Sequence, residues 1–368
     1  MRHKHPVRAI IIQQLTGRFN TVMLSRFPRF QKFALKGPIV WRARSLLQFA
    51  ISLGCVTVRR LARGPLLASW TYELELATHF FKAQGIAAFR AASAGKVDTC
   101  RQVIDSLTFQ LPALASVHIV VEHAAPMPGK WFIARRPGPT ALYFHGGGYA
   151  FYPAMTDNLA AAVSAAIGGR TFVPQYRLAP EHPFPAQLDD GLRSYRWLLE
   201  QGVMPSQLVV IGDSAGGHLA LSVLLALHDA GLPSPAAGIA ISPWVDPSNS
   251  GDSMQANGSF DWMTRDMADQ LGKWAGAAGG SEHPLFWPMQ ADLKALPPVL
   301  VQSGGAEIFR DMIEDFRVRA EDAGANVAFE TWPDMNHNFQ GFGSLLGESG
   351  QALDRMASFV AARCALAN

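Results

Sequence analysis

"VVIGDSAGGHLAL", residues 209–221, passes from an apolar run through a knot of small residues around one serine and back into an apolar run. Val209, Val210 and Ile211 favour an extended strand, whereas the residues from Ala215 onward read as a helix. Between them Gly212, Gly216 and Gly217 crowd Ser214. A tight strand-to-helix turn needs this, because a β-carbon at the flanking positions would strike the adjoining strand or helix. The G-x-S-x-G spacing of residues 212–216 leaves the Ser214 hydroxyl exposed at a strained corner. The helix that follows aims its amino-terminal dipole and free N–H groups at that hydroxyl, which favours negative charge there.

Working outward, the same alternation of short β-rich and longer helical runs holds from about residue 116. "SVHIVVEHA", "KWFIARR" and "TALYFHGG" read as strands, followed by a helix over 156–168, the strand "RTFVPQYR" and a helix over 187–201. "QLVVIGD", a helix over 215–230 and "AAGIAISP" come next; beyond an irregular stretch lie "PPVLVQSGG", a helix over 310–323, "NVAFETWP" and a helix over 349–366. Strands alternating with helices predict an α/β fold, a mostly parallel sheet covered on both faces. Chemistry in such sheets gathers at the carboxyl ends of strands, which is where Ser214 falls.

At 368 residues and 49% hydrophobic content the chain can bury a large core. Cys55, Cys100 and Cys364 stand far apart with no CxxC, which argues against a disulfide framework or a zinc site and for a reducing, cytoplasmic setting. No HExxH, P-loop or GxGxxG occurs, so neither a metal nor a nucleotide cofactor is expected.

The net charge of +3 conceals an asymmetry: residues 1–72 hold 13 Lys or Arg and no acid, leaving −10 on the remainder. Within this arm "SLLQFAISLGCVTV", between Arg44 and Arg59, suits a buried or interfacial helix and is too short by itself to span a bilayer. Two readings stay open for the arm, a helical extension packed on the main domain or peripheral contact with a membrane surface. Nucleic acid is not expected as a partner, since no recognition motif accompanies the charge.

A second signal lies 69 residues before the serine, where "ALYFHGGGYAF" places His145, Gly146, Gly147 and Gly148 just past a strand. Consecutive glycines present backbone N–H groups unobstructed, and with the N–H of Ala215 they form a candidate oxyanion hole. His145 reads as a structural hydrogen bonder in that loop.

With HGGG at 145–148, "YRLAPEHPFPA" at 176–186, "GDSAGGHLA" at 212–220 and "HPLFWPM" with "LPPVLVQSGGAE" from 283 onward, the chain resembles the hormone-sensitive lipase family of α/β-hydrolases, which includes bacterial carboxylesterases and arylacetamide deacetylase. The resemblance covers about residues 110–366. It implies an eight-stranded α/β-hydrolase core over 111–368, a serine nucleophile, no cofactor, and a cap contributed by an N-terminal helical region within 1–110. The segment "YRLAPEHPFPA" is implied to hold the oxyanion loop.

In this fold the triad members follow in the order serine, acid, histidine. His337, directly behind the strand-like 327–332, is the last histidine of the chain and the candidate base. The acid is Glu307 or Asp311. The family pattern, an acid with a second one four residues on, puts Glu307 in the catalytic position, where most members carry aspartate, and leaves Asp311 second. The reading that follows is a serine carboxylesterase for short- to medium-chain esters, acting through an acyl-enzyme. Amide deacetylation, acyl transfer and a ligand-binding role on the same scaffold remain alternatives. A homodimer is implied by the habits of relatives.

Overall fold

The computed structural model describes residues 32–364, apart from 125, 136 and 137. The first 31 residues of the basic arm therefore lie outside the described residues, as do the last residues of the helix expected over 349–366.

Eight strands form one sheet: β3 (His118–Glu122), β4 (Gly129–Ile133), β5 (Thr140–Phe144), β6 (Arg170–Pro174), β7 (Leu208–Asp213), β8 (Ala237–Ile241), β9 (Val299–Gly304) and β10 (Val327–Trp332). Their order is β10-β9-β8-β7-β5-β6-β4-β3; β4 runs antiparallel to both β3 and β6, and the other pairings are parallel. Every strand expected from the sequence is present. Two further strands, β1 (Lys32–Leu35) and β2 (Leu107–Gln110), pair antiparallel in a separate small sheet that their short, aperiodic sequences did not announce.

The central strands bury both faces, so successive residues belong to different cores. Leu142, Phe144, Val210, Val299 and Val301 join one cluster, roofed by α5 (Ala186–Glu200), α6 (Ala215–Ala226) and α8 (Arg310–Asp322). Ala141, Tyr143, Val209, Ile211 and Leu300 join the other, under α4 (Thr156–Ile167) and α9 (Gly347–Ala361). The expected helix ends fall short by more than one residue in two places: α6 stops at Ala226 rather than 230, and α9 at Ala361 rather than 366.

Before the sheet lie three helices, α1 (Ile39–Arg63), α2 (Tyr72–Ser93) and α3 (Val97–Ile104); α7 (Arg265–Ala275) is inserted between β8 and β9. Helix α2 starts cleanly: Thr71 accepts the N–H of Leu74, and Glu73 and Glu75 sit in the positive first turn. This region is tied to the loop after β10. Trp70 Nε1 donates to Asp334 O at 2.6 Å, and Asn336 Nδ2 donates to Thr78 Oγ1 at 2.7 Å.

The chain crosses over so that β5 and β7 are neighbours, which sets the turn after β7 against the loop after β5. A β-carbon on Gly216 would land on the carbonyl oxygen of Phe144, so α6 can start this close to the end of β5 only with glycine there. Gly216→Ala is accordingly expected to push α6 off the sheet and cost about 3 kcal/mol or more, an overpacking penalty at a site with backbone on the far side. A chemical denaturation midpoint equal to wild type would contradict this close approach.

Candidate active site

Ser214 stands where the two central strands end. Its backbone has φ 56° and ψ −121°, a conformation L-residues rarely adopt, and three bonds hold it there. Its N–H donates to Ile241 O at 2.9 Å, and its carbonyl accepts from Trp244 N at 3.1 Å and His218 N at 3.0 Å. On the far side of a turn, Gly212 lies against the backbone of Gly216, leaving no room for a side chain. The outcome is a serine at the mouth of a helix that is buried from bulk solvent, unlike the exposed hydroxyl expected from the motif, and that lines an internal cavity beside His337.

The imidazole comes from the loop after β10. His337 Nε2 is 3.0 Å from Ser214 Oγ, and Nδ1 is 3.3 Å from Glu307 Oε2. Glu307 and His337 are brought together because the loops after β9 and β10 are laced: Gly305 N donates to Trp332 O at 2.8 Å and Ala306 N to Met335 O at 3.0 Å. Asp311 is elsewhere. Its carboxylate accepts from Ser253 N at 2.8 Å and pairs with Arg310, with no contact to His337, so the second-choice acid is not the histidine's partner.

The four oxyanion candidates separate. Gly146 N donates to Asp213 Oδ1 at 2.8 Å and is therefore already committed, which removes Gly146 from the candidate donors. The N–H groups of Gly147, Gly148 and Ala215 donate to nothing among the described residues. Gly147 at φ 107°, Gly148 at φ 60° and Tyr149 at φ 62° turn the loop back on itself to present them. Tyr149 then anchors the loop: its hydroxyl is 2.5 Å from His218 Nδ1, while His218 Nε2 is 3.1 Å from Phe286 O. Burial holds His218 down at about 4, so the ring is neutral and can accept the hydrogen bond of the tyrosine hydroxyl on one nitrogen while donating from the other. His145 is neutral for the same reason, pushed to about 4 by burial, and stacks on Tyr176 with ring centres 4.2 Å apart. It is structural, and the "YR" of the segment expected to support this loop includes the tyrosine beneath it.

Sequence reasoning missed two buried carboxylates. Asp213 accepts from Tyr143 Oη at 2.5 Å, Gly146 N and Asn338 Nδ2 at 2.7 Å, so one side chain ties the oxyanion loop to the residue after His337. Burial raises its pKa, and these donors oppose that. Asp261 accepts from Ile308 N at 2.8 Å and braces the loop that carries Glu307; burial pushes it up to about 6, against the charge of His337. Asp213 had a signal, since it fills the second position of G-x-S-x-G. Asp261 had none: it sits in the irregular stretch 246–263, where no period marks a buried face.

For His337 burial alone would lower the pKa, but the hydrogen bond and charge of Glu307, with Asp261 and Asp213 behind it, outweigh that and raise it. A cavity of about 200 Å³ adjoins Ser214 and His337. Ala77, Phe81, Gly85 and Phe89, one face of α2 at four-residue spacing, line one wall, and Met263, Met267 and Leu271 line another. Among the described residues no cluster of His, Cys, Asp or Glu could hold a metal ion.

A sheet of this order, with a serine at the corner between a central strand and its helix, defines an α/β hydrolase. The sequence profile of the alpha/beta hydrolase fold family matches residues 141–341, and the chain belongs to that family. It is 38% identical to an acetyl-hydrolase of Streptomyces hygroscopicus over 230 residues, 62% of this chain and 77% of that protein. An esterase of Acinetobacter venetianus is 33% identical over 265 residues, covering 70% of this chain and 87% of its own length. Among solved structures, an esterase from the bacterial hormone-sensitive lipase family superposes with a TM-score of 0.66 at 30% identity, covering 87% of this chain and 99% of that one.

The raised pKa of His337 has a consequence for pH dependence. The ring must be neutral to accept a proton, so kcat/KM is lost as pH falls through an inflection above the ordinary 6.5. In Glu307→Gln the carboxylate support is removed while burial remains, so the inflection moves to lower pH and kcat falls by about 10²–10⁴-fold. Asp311→Asn leaves both close to wild type. A pH–rate profile unmoved by Glu307→Gln, or a larger loss at Asp311, would show that Glu307 does not support the ring.

Proposed function

We propose that hydrolysis proceeds through an acyl-enzyme on Ser214, with His337 as base and Glu307 as its orienting acid. The chain is a hydrolase of carboxylic ester bonds, and its relatives include one named esterase and one named acetyl-hydrolase. The observation that carries the proposed route is the 3.0 Å separation of His337 Nε2 and Ser214 Oγ beside three unengaged N–H groups.

In the first half-reaction His337 Nε2 takes the Ser214 proton as Oγ bonds to the ester carbonyl carbon. The carbonyl oxygen gathers negative charge and is received by the N–H groups of Gly147, Gly148 and Ala215, each such donor being worth about 3–4 kcal/mol in the transition state. His337 then gives its proton to the departing alkoxide, and the alcohol leaves. In the second half-reaction water takes the alcohol's place: His337 removes its proton, the acyl–Oγ bond breaks, and the proton returns to Ser214. Glu307 keeps Nδ1 protonated throughout, so Nε2 is the nitrogen that exchanges.

The apolar walls beside Ser214, one of them supplied by α2, and a volume of about 200 Å³ support short- to medium-chain acyl groups as substrates. Two assays test the reading. Ser214→Ala should retain its fold and lose at least about 10⁴-fold in turnover of p-nitrophenyl butyrate. Across acetate, butyrate, octanoate and palmitate esters, kcat/KM should peak at butyrate or octanoate and fall about tenfold or more at palmitate. Retained turnover in Ser214→Ala would overturn the nucleophile; a maximum at palmitate would overturn the acyl preference.

A further inference from the structure

Helix α1 packs inward through Trp41, Phe49 and Val56 together with polar groups, yet turns a second, longer apolar face outward. Only Ser45, Ser52 and Val56 of its 25 residues are buried. Its inward face is bonded to the protein through Ser45 Oγ with Ser106 Oγ at 2.6 Å and Ser52 Oγ with His79 Nδ1 at 2.9 Å, and at its exposed edge Thr57 Oγ1 meets Tyr72 Oη at 2.7 Å. Arg59 and Arg60 both pair with the buried Glu75 of α2. The outward face is apolar. Leu47 is 63% exposed, Val58 67%, Leu61 84% and Ile39 78%, with Val40, Leu46 and Ile51 alongside. Ala43, Ala50, Gly54 and Cys55 fill the spaces between them, so the exposed stripe carries no charge from Ile39 to Ala62. A helix packed on a water-soluble domain normally turns such a stripe inward, and an outward stripe of this length marks an interaction surface.

Charge selects the partner. The chain has no acid before Glu73, and six basic residues precede residue 31. Arg42 and Arg63 of α1 have no acidic partner among the described residues. A second copy of the chain seated on this stripe would set two basic, acid-free segments against each other. An anionic lipid surface complements both the apolar stripe and the charges flanking it.

Length and composition alone would allow α1 to cross a bilayer, since it is the one described helix apolar enough to do so. Its attachments forbid that orientation: a spanning α1 would have to pull Arg59 and Arg60 from Glu75 and carry Ser45 and Ser52 into hydrocarbon unpaired. We propose that α1 lies flat in the interface of an anionic membrane, its Ile39–Leu61 stripe in the upper acyl region, with the hydrolase body held on the aqueous side. This surface is separate from the ester-cleaving site and does not rest on it.

Cys55 lies on the stripe and is the one exposed cysteine among the described residues, which makes it a native position for an environment-sensitive fluorophore. The full-length protein is mixed with vesicles of phosphatidylcholine containing one third phosphatidylglycerol, and with phosphatidylcholine alone. Unlabelled protein should float with the anionic vesicles at least about tenfold more than with the neutral ones, and less as salt is raised. Labelled protein should blue-shift and be quenched more by a spin label near the top of the acyl chain than by one near its end. Leu47→Glu/Val58→Glu/Leu61→Glu should lose about tenfold or more in vesicle-bound fraction. Leu61→Glu alone, at the most exposed position, should lose less, and both variants should hydrolyse p-nitrophenyl butyrate in lipid-free buffer at the wild-type rate. The proposal is overturned by absence of flotation on anionic vesicles, by equal flotation of the triple variant, by stronger quenching at the chain end, or by a lipid-free dimer cross-linked through Cys55.

Discussion

The left-handed backbone at Ser214 is the constraint on which the rest of the site depends. An L-residue at φ 56° and ψ −121° costs on the order of 1–3 kcal/mol, and it persists because the surroundings leave no alternative. Its N–H is fixed to the end of β8, its carbonyl to Trp244 and His218, and its glycine neighbours are pressed against backbone. The same close approach that strains the serine opens the helix amides to the cavity and brings the glycine loop after β5 alongside. Strain, anion-favouring dipole and unengaged donors are therefore one feature of the fold seen from three sides.

Around the histidine the organising effect is electrostatic. Three buried carboxylates, Glu307, Asp261 and Asp213, all raise the pKa of His337, but they differ in what else they hold. Glu307 touches the ring. Asp261 fixes the loop that carries Glu307, through Ile308 N, and Asp213 fixes the loop that carries Gly147 and Gly148, through Gly146 N. An imidazolium at His337, as the proposed route requires, would be stabilised by groups that also set the positions of Glu307 and of the Gly147 and Gly148 amides. A base raised too far would be protonated at neutral pH, and the burial of the ring works against that.

Most of the sheet was legible because its strands are short β-branched runs between turn signals, and because serine, acid and histidine each follow a strand end in a fixed order. Ser214, His337 and the preference for Glu307 over Asp311 came from that order and from the resemblance. Three things were not legible. Gly146 looks like its two neighbours in sequence, and only the three-dimensional reach of Asp213 sets it apart. Asp261 and Asn257 brace the Glu307 loop from an irregular segment where burial has no period to betray it. The β1–β2 pair joins residues more than 70 positions apart, and α2 reaches the histidine loop through Thr78 and Asn336, 258 positions away, contacts that no local pattern encodes.

These elements converge on one atom, the hydroxyl oxygen of Ser214. Its activation can be read directly by treating the folded protein with one equivalent of a fluorophosphonate and mapping the adduct by peptide mass spectrometry. Stoichiometric modification of Ser214, abolished when His337 is replaced by alanine, is the predicted result. A folded protein that stays unmodified, or that carries the phosphonyl group on another serine while Ser214 remains free, would contradict the assignment of the site.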